Sequence, residues 1–266
     1  MKYKLFISDY DGTLGGDDGI AEDTVKAIKE YEKRGGKFVV CTGRMYNSIL
    51  KICQRYDIAD VIVSYQGARI NERKSGKTMF AGKISSFLVE EVLSDLKGLP
   101  VITALITDGI LYYSESSEQA EAEWKKKAID VRKVDDLLSF LVRQNIEVLK
   151  INLMCNKADV PEILRIYSEK YKGRLIVNSG SSTLVEFINP KCNKGNSVRF
   201  LADYYGIDSG EIIAVGDSLN DAELLNGSWH SVAVGNAKEE LKAMADEVAV
   251  AYKDHPIKYL LEKYCL

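Results

Sequence analysis

In FISDYDGTLGG (residues 6–16), Asp9 and Asp11 stand two places apart at the end of an apolar run, and GDSLND (216–221) carries a second pair, Asp217 and Asp221, after another such run. Two carboxylates about 4 Å apart repel by roughly 4 kcal/mol at an effective dielectric near 20. Each pair therefore calls for a proton, a cationic side chain or a metal ion. Asp also begins turns and caps helices, which accounts for either segment alone. Two acidic strand ends in one sheet are harder to assign to capping. An all-oxygen cluster with neither of the two histidines nearby in sequence suits a hard cation, Mg²⁺ rather than zinc. Mg²⁺ with clustered aspartates is an arrangement for phosphoryl transfer.

Such a site also needs donors for phosphoryl oxygens. Thr42 and Gly43, at a strand end that leads into a helix, offer a hydroxyl and free backbone N–H groups. Lys194, in NPKCNKGNSVRF, lies just before a predicted helix and could carry positive charge to the same edge. A lone lysine there is ordinarily a solvated side chain, so its case depends on the others.

The elements that would position these residues alternate. KLFIS (4–8), KFVVCT (37–42) and DVIVS (60–64) read as buried strands, with helices over EDTVKAIKEYEK and from about Arg44 between them. This βαβαβ rhythm predicts a doubly wound, mostly parallel α/β sheet of Rossmann-like kind. Near residue 82 the pattern changes. A helix over 83–99 is followed by two strands around Asp108-Gly109, helices around Gln119–Lys127 and Asp135–Gln144, and the strand EVLKINLMC. A helix after Pro161 and the strands RLIVNS and TLVEFIN complete an α+β insertion over 82–188. The alternation returns over 189–266, so residues 1–81 and 189–266 are expected to form one core. Ligands of open parallel sheets sit beyond the carboxyl ends of the strands, which is where the aspartates, Thr42 and Gly43 fall.

The chain has 266 residues, is 46% hydrophobic and 28% charged, and carries a net charge of −3, the balance of a globular protein with a real core. The charge and the lack of a basic run argue against a nucleic-acid partner. Five widely spaced cysteines outside any C-x-x-C pattern suggest neither a disulfide framework nor a zinc knuckle. With no signal-like segment and no apolar run of membrane-spanning length, the expectation is a cytoplasmic protein that binds no membrane. The sequence offers nothing on oligomeric state.

Taken together, DYDGTL, VVCTGR, NKG and GDSLND resemble, in order and spacing, the four motifs of the haloacid dehalogenase superfamily. The insertion between the second and third places the resemblance in the Cof-type branch, which carries a large α/β cap. The resemblance implies a Mg²⁺-dependent phosphatase acting on a small phosphorylated metabolite such as a sugar phosphate. Asp9 would be the nucleophile and Asp11 the general acid and base. Asp9, the backbone carbonyl of Asp11, and Asp217 would hold Mg²⁺. Tyr10, Thr42, Gly43, Lys194 and Asn220 would bind phosphate or substrate, with Asp221, Thr13 and Arg44 behind them. The short loop after Asp11 implies that the inserted domain excludes water and chooses the substrate. Two stretches depart from the branch: Gln66 in SYQGARI stands where Asn is usual, and YKDHPIKYLL lacks the usual C-terminal pattern. His255, Trp124 and Trp229 read as surface or packing residues. A sugar phosphomutase and a phospho-receiver signalling protein remain alternative readings of the same residues.

Overall fold

The computed structural model describes residues 1–16, 18–126 and 130–266, and it divides into two compact units. One comprises Met1–Phe80 and Cys192–Leu266, the other Ala81–Lys191. The division falls within a few residues of the points at 82 and 188 where the sequence pattern changes.

The first unit opens with β1 (Leu5–Ser8), α1 (Glu22–Lys33), β2 (Lys37–Cys41), α2 (Tyr46–Tyr56) and β3 (Val61–Ser64). β1 and β3 are buried at every position, as unbroken apolar runs require when helices cover both faces of a sheet. α1 buries Ala27, Ile28 and Tyr31 on one stripe and carries Glu22 and Asp23 in its first turn, where the helix dipole favours acids. The chain then stops at Gly35, whose φ of +90° suits glycine. Two strands that the sequence reading left out follow, β4 (Arg69–Glu72) and β5 (Thr78–Ala81). β4 pairs antiparallel with β3, with Val63 opposite Ile70.

The inserted unit contains α3 (Ser86–Leu96), β6 (Ile102–Ile106), β7 (Ile110–Tyr113), α4 (Glu118–Lys126), β8 (Asp130–Lys133), α5 (Leu137–Gln144), β9 (Lys150–Met154), α6 (Val160–Lys170), β10 (Ile176–Ser181) and β11 (Leu184–Ile188). Among the described residues its strands form a six-stranded sheet ordered β10-β11-β9-β6-β7-β8. The expected helix over Gln119–Lys127 is α4, and its last residue, Lys127, lies outside the described residues. β8, exposed at all four positions of DVRK, has no apolar alternation to reveal it. One sheet face, including Leu105, Ile151, Val185 and Phe187, packs with Val89 and Val92 of α3, Leu141 of α5 and Ile163 of α6. The same sheet buries an ion pair, Lys150 Nζ to Glu186 Oε1 at 2.6 Å. Trp124 is buried against the Tyr113 ring, 4.8 Å between centroids, in the packing role expected.

The first unit resumes with α7 (Lys194–Tyr205), β12 (Ile212–Gly216), α8 (Ala222–Leu225), β13 (His230–Ala233), α9 (Glu239–Lys242), β14 (Glu247–Val248) and α10 (Pro256–Tyr264). α7 begins earlier than the sequence suggested. Asn193 caps it, accepting a hydrogen bond from Asn196 N at 2.7 Å, so Lys194 is its first residue rather than part of the approach. Trp229 is buried, its indole N–H donating to Leu224 O at 2.8 Å, while His255 is exposed. Among the described residues the sheet has eight strands, ordered β14-β13-β12-β1-β2-β3-β4-β5. β1 pairs in parallel with both β12 and β2, and the strand order runs outward in both directions from there. Beyond the carboxyl ends of strands at such a switch point, loops part and leave a crevice. No described helix is long and apolar enough to cross a membrane. The five cysteines are free thiols.

Candidate active site

The crevice at β1 and β12 is where the acidic strand ends meet. Asp9 continues the ladder one residue past β1, its N–H donating to Val215 O at 2.9 Å. The chain then turns tightly, with Tyr10 O accepting from Leu14 N at 3.0 Å and Gly15 N at 2.8 Å. Gly12 permits the turn at φ +79°, and a Cβ there would lie 2.6 Å from Asp217 Oδ2, so only glycine lets the loop approach the end of β12 so closely. Thr13 Oγ1 donates to Asp217 Oδ1 at 3.0 Å and ties the two strand ends together.

Asp9, Asp217 and Asp221 each place a carboxylate oxygen within 4.8 Å of the others. Lys194 enters from the start of α7, 1% exposed, and its Nζ donates to Asp9 Oδ1 at 2.6 Å and to Asp221 Oδ1. Asp221 also fulfils the capping role, since its Oδ2 accepts from Asp217 N and Ser218 N at 3.1 Å each. One oxygen of Asp221 thus caps the turn while the other meets Lys194. Burial alone would lower the Lys194 ammonium, but Asp221 and Asp9 hold it above its ordinary value. Burial and the neighbouring Asp221 charge push the Asp9 carboxyl well up, against the pull of Lys194. Asp217 is raised by burial and by Asp221, with the Thr13 hydrogen bond opposing. Three carboxylates thus share one ammonium, and the imbalance falls on Asp9 and Asp217, because Asp221 is held by Lys194 and two backbone amides. A hard divalent cation fits that deficit and that all-oxygen donor set.

The remaining expected residues surround this group in distinct ways. The Asp11 carboxylate is 52% exposed and lies in a two-point clamp, with Arg44 Nε donating to Oδ2 at 2.9 Å and Nη2 to Oδ1 at 2.6 Å. The Arg44 guanidinium also lies over the Tyr10 ring, 4.6 Å from its centroid. Tyr10 is fully buried and donates its hydroxyl to Gly16 O at 3.2 Å, so it supports Arg44. Burial pushes its phenol up to about 12. Thr42 is buried, and its Oγ1 accepts from Arg44 N at 3.2 Å. Gly43 faces Gln66, whose Nε2 would lie 2.5 Å from a Cβ at that position. Asn220 is exposed, and its carboxamide oxygen accepts from the Ser218 hydroxyl.

Two residues beside the site were not singled out as members of it. Asn236 donates to Gly12 O at 3.1 Å and accepts from Tyr252 N at 2.6 Å, bracing the turn that follows Asp11. Nothing in VGNAK marks such a long-range bond. Gln66 stands out in the sequence only as a departure from the family pattern, and the QG dipeptide after β3 is the signal for its turn. Tyr65 and Gln66 take φ values of +53° and +60°, a left-handed conformation that costs a non-glycine residue about 1–2 kcal/mol.

The family profile described as haloacid dehalogenase-like hydrolase matches residues 6–261. The chain is a haloacid dehalogenase-like hydrolase of the Cof-type branch. A putative phosphatase of Haemophilus influenzae is 28% identical over 99% of this chain and 98% of that protein. A Bacillus subtilis protein named 5-amino-6-(5-phospho-D-ribitylamino)uracil phosphatase YitU is 26% identical, over 98% of this chain and 97% of its own. Among solved structures, that of TM0651 from Thermotoga maritima superposes with a TM-score of 0.86 at 26% identity, covering 98% of this chain and 97% of that one. These similarities span both the α/β core of this hydrolase and its insertion.

Proposed function

We propose that this hydrolase is a Mg²⁺-dependent phosphatase of small phosphorylated metabolites that works through an aspartyl-phosphate on Asp9. The observation that carries the reading is the buried group of Asp9, Asp217 and Asp221 around Lys194, which gathers a nucleophile, a cation-binding deficit and a fixed ammonium within a few ångströms. The phosphatase names of relatives matched along nearly their whole length support it. Asp9 would bind the metal with Asp217 and, in this reading, the Asp11 backbone carbonyl. Bound there, Mg²⁺ supplies positive charge to the phosphoryl oxygens and to the attacking carboxylate.

An Asp9 oxygen attacks phosphorus, the P–O bond to the leaving group breaks, and the leaving oxygen takes a proton from Asp11. For that step Asp11 must leave the Arg44 clamp, so the substrate-free arrangement holds the acid in reserve. Asp11 then takes a proton from the water that attacks the aspartyl-phosphate, and phosphate departs. Lys194 and the Thr42–Gly43 segment offset the charge gathered on the phosphoryl oxygens. The turn after Asp11 is short and internally bonded, so the inserted unit is assigned the work of excluding water and choosing the leaving group.

Replacing Asp9 by asparagine tests the reading directly. The variant should release no phosphate from p-nitrophenyl phosphate, and wild-type protein stripped by EDTA should regain activity on adding Mg²⁺. An active Asp9→Asn protein would remove the covalent route.

A further inference from the structure

We propose that Gln66 is a further phosphoryl-binding residue, its side-chain amide donating to a phosphoryl oxygen beside Gly43. The inference rests on the phosphatase reading above and adds a donor to it.

The backbone is the first ground. Tyr65 and Gln66 are consecutive non-glycine residues at positive φ, followed by Gly67 at +95°. Such strain persists only where the surroundings over-determine it, and it gathers at ligand sites. Here Tyr65 N donates to Arg44 O at 2.9 Å and Gln66 N to Thr42 O at 3.1 Å, which fastens the turn to the segment holding Thr42 and Gly43. On its other side a Cβ at Gly67 would lie 2.5 Å from Asn193 O, the cap of the helix that begins with Lys194. The turn is therefore wedged between the two segments expected to hold phosphate.

The second ground is the side chain. Its Nε2 would come within 2.5 Å, and its Cδ within 2.9 Å, of a Cβ at Gly43, so the carboxamide stands directly beside the glycine. Its Oε1 is buried and has no hydrogen-bond partner among the described residues. A glutamine placed for packing would have its polar atoms paired, or would be replaced at no cost by methionine. The strained turn instead holds this carboxamide beside Gly43, with Nε2 toward the glycine and Oε1 without a partner among the described residues. An incoming phosphoryl dianion offers only acceptors, and of the two polar atoms Nε2 is the one that can donate to it.

The test compares Gln66→Met, which keeps length and loses the donor, Gln66→Glu, which places a negative charge there, and Gln66→Asn, which keeps the amide one methylene shorter. Competitive inhibition by inorganic phosphate, with Mg²⁺ fixed, is the readout. For Gln66→Met the inhibition constant and KM should both rise on the order of tenfold, as the loss of one charge-assisted hydrogen bond implies. The factor should be the same for p-nitrophenyl phosphate, acetyl phosphate and a hexose phosphate, with Gln66→Glu worse and Gln66→Asn intermediate. An unchanged phosphate inhibition constant in a Gln66→Met protein that melts like wild type overturns the proposal. So does a loss confined to one leaving group. Failure of the phosphatase reading looks different: wild-type protein would hydrolyse none of the three substrates.

Discussion

Replacing Lys194 by methionine removes the cation that, among the described residues, bonds both Asp9 and Asp221. Nζ lies 2.6 Å from Asp9 Oδ1 and donates equally to Asp221. At an effective dielectric of 20, each such attraction is on the order of 6–7 kcal/mol, and burying the ammonium offsets several kcal/mol of the total. Breaking a buried pair by deleting one partner costs about 3–5 kcal/mol. In a unit of this size that corresponds to a melting temperature lower by roughly 6–20 °C. The loss should depend on pH in a defined direction. Burial and Asp221 already raise the Asp9 carboxyl, and without Lys194 it rises further above its unfolded value. A carboxyl raised on folding loses stability as pH rises toward its folded value, so the deficit should be largest at pH 8 and shrink toward pH 5. Mg²⁺ at a hundred times its dissociation constant should return up to about 2.7 kcal/mol. The assay is thermal unfolding of both proteins at pH 5.5 and pH 8, with EDTA and with excess Mg²⁺. A variant melting within 2 °C of wild type at pH 8 in EDTA, or a deficit equal at both pH values, refutes the charge argument.

Three further outcomes are expected. Asp11→Asn should lower kcat by about 10²–10⁴-fold on alkyl phosphates and less on p-nitrophenyl phosphate, whose leaving group needs little protonation, as steady-state kinetics on both substrates will show. Burial pushes Glu32 up to about 7, so stability is lost as pH rises from about 4.5 through 7. Glu32→Gln, which can keep the bond from Ala59 N, should be more stable by roughly 1–2 kcal/mol at pH 8.5 once solvent screening is allowed for, an advantage that urea titrations should show fading below pH 5. In the inserted unit, Lys150→Met alone should cost about 3–5 kcal/mol, and adding Glu186→Leu should recover most of it, measured by a double-mutant cycle in urea.

The parts of the fold that a sequence displays are those whose cause is local. LFIS and KFVVC are continuous apolar runs because both faces of the sheet are covered, and their period identifies β1 and β2 without any partner in view. DVRK became β8 through pairing with β7 alone, and its exposed side chains leave no trace of that in composition. The site divides the same way. Asp9 and Asp217 are visible because strand ends of one sheet share an edge, and Lys194 because it stands in NKG where a helix begins. That Asp11 would turn to Arg44, that Tyr10 would lie beneath the guanidinium, and that Asn236 would brace Gly12 are matters of rotamer and tertiary contact. Spacing carries no information about those.

The insertion between the two halves of the sheet also orders the birth of the protein. β1 is flanked by β2, some thirty residues away, and by β12, whose first residue is Ile212. On a ribosome adding about 5–20 residues per second, β12 emerges roughly ten to forty seconds after β1. During that interval the strand that leads to Asp9 lacks its β12 neighbour, while the compact unit of residues 81–191 has already been made. The acidic group is complete only when Asp217 and Asp221 follow β12, long after Asp9 has been made.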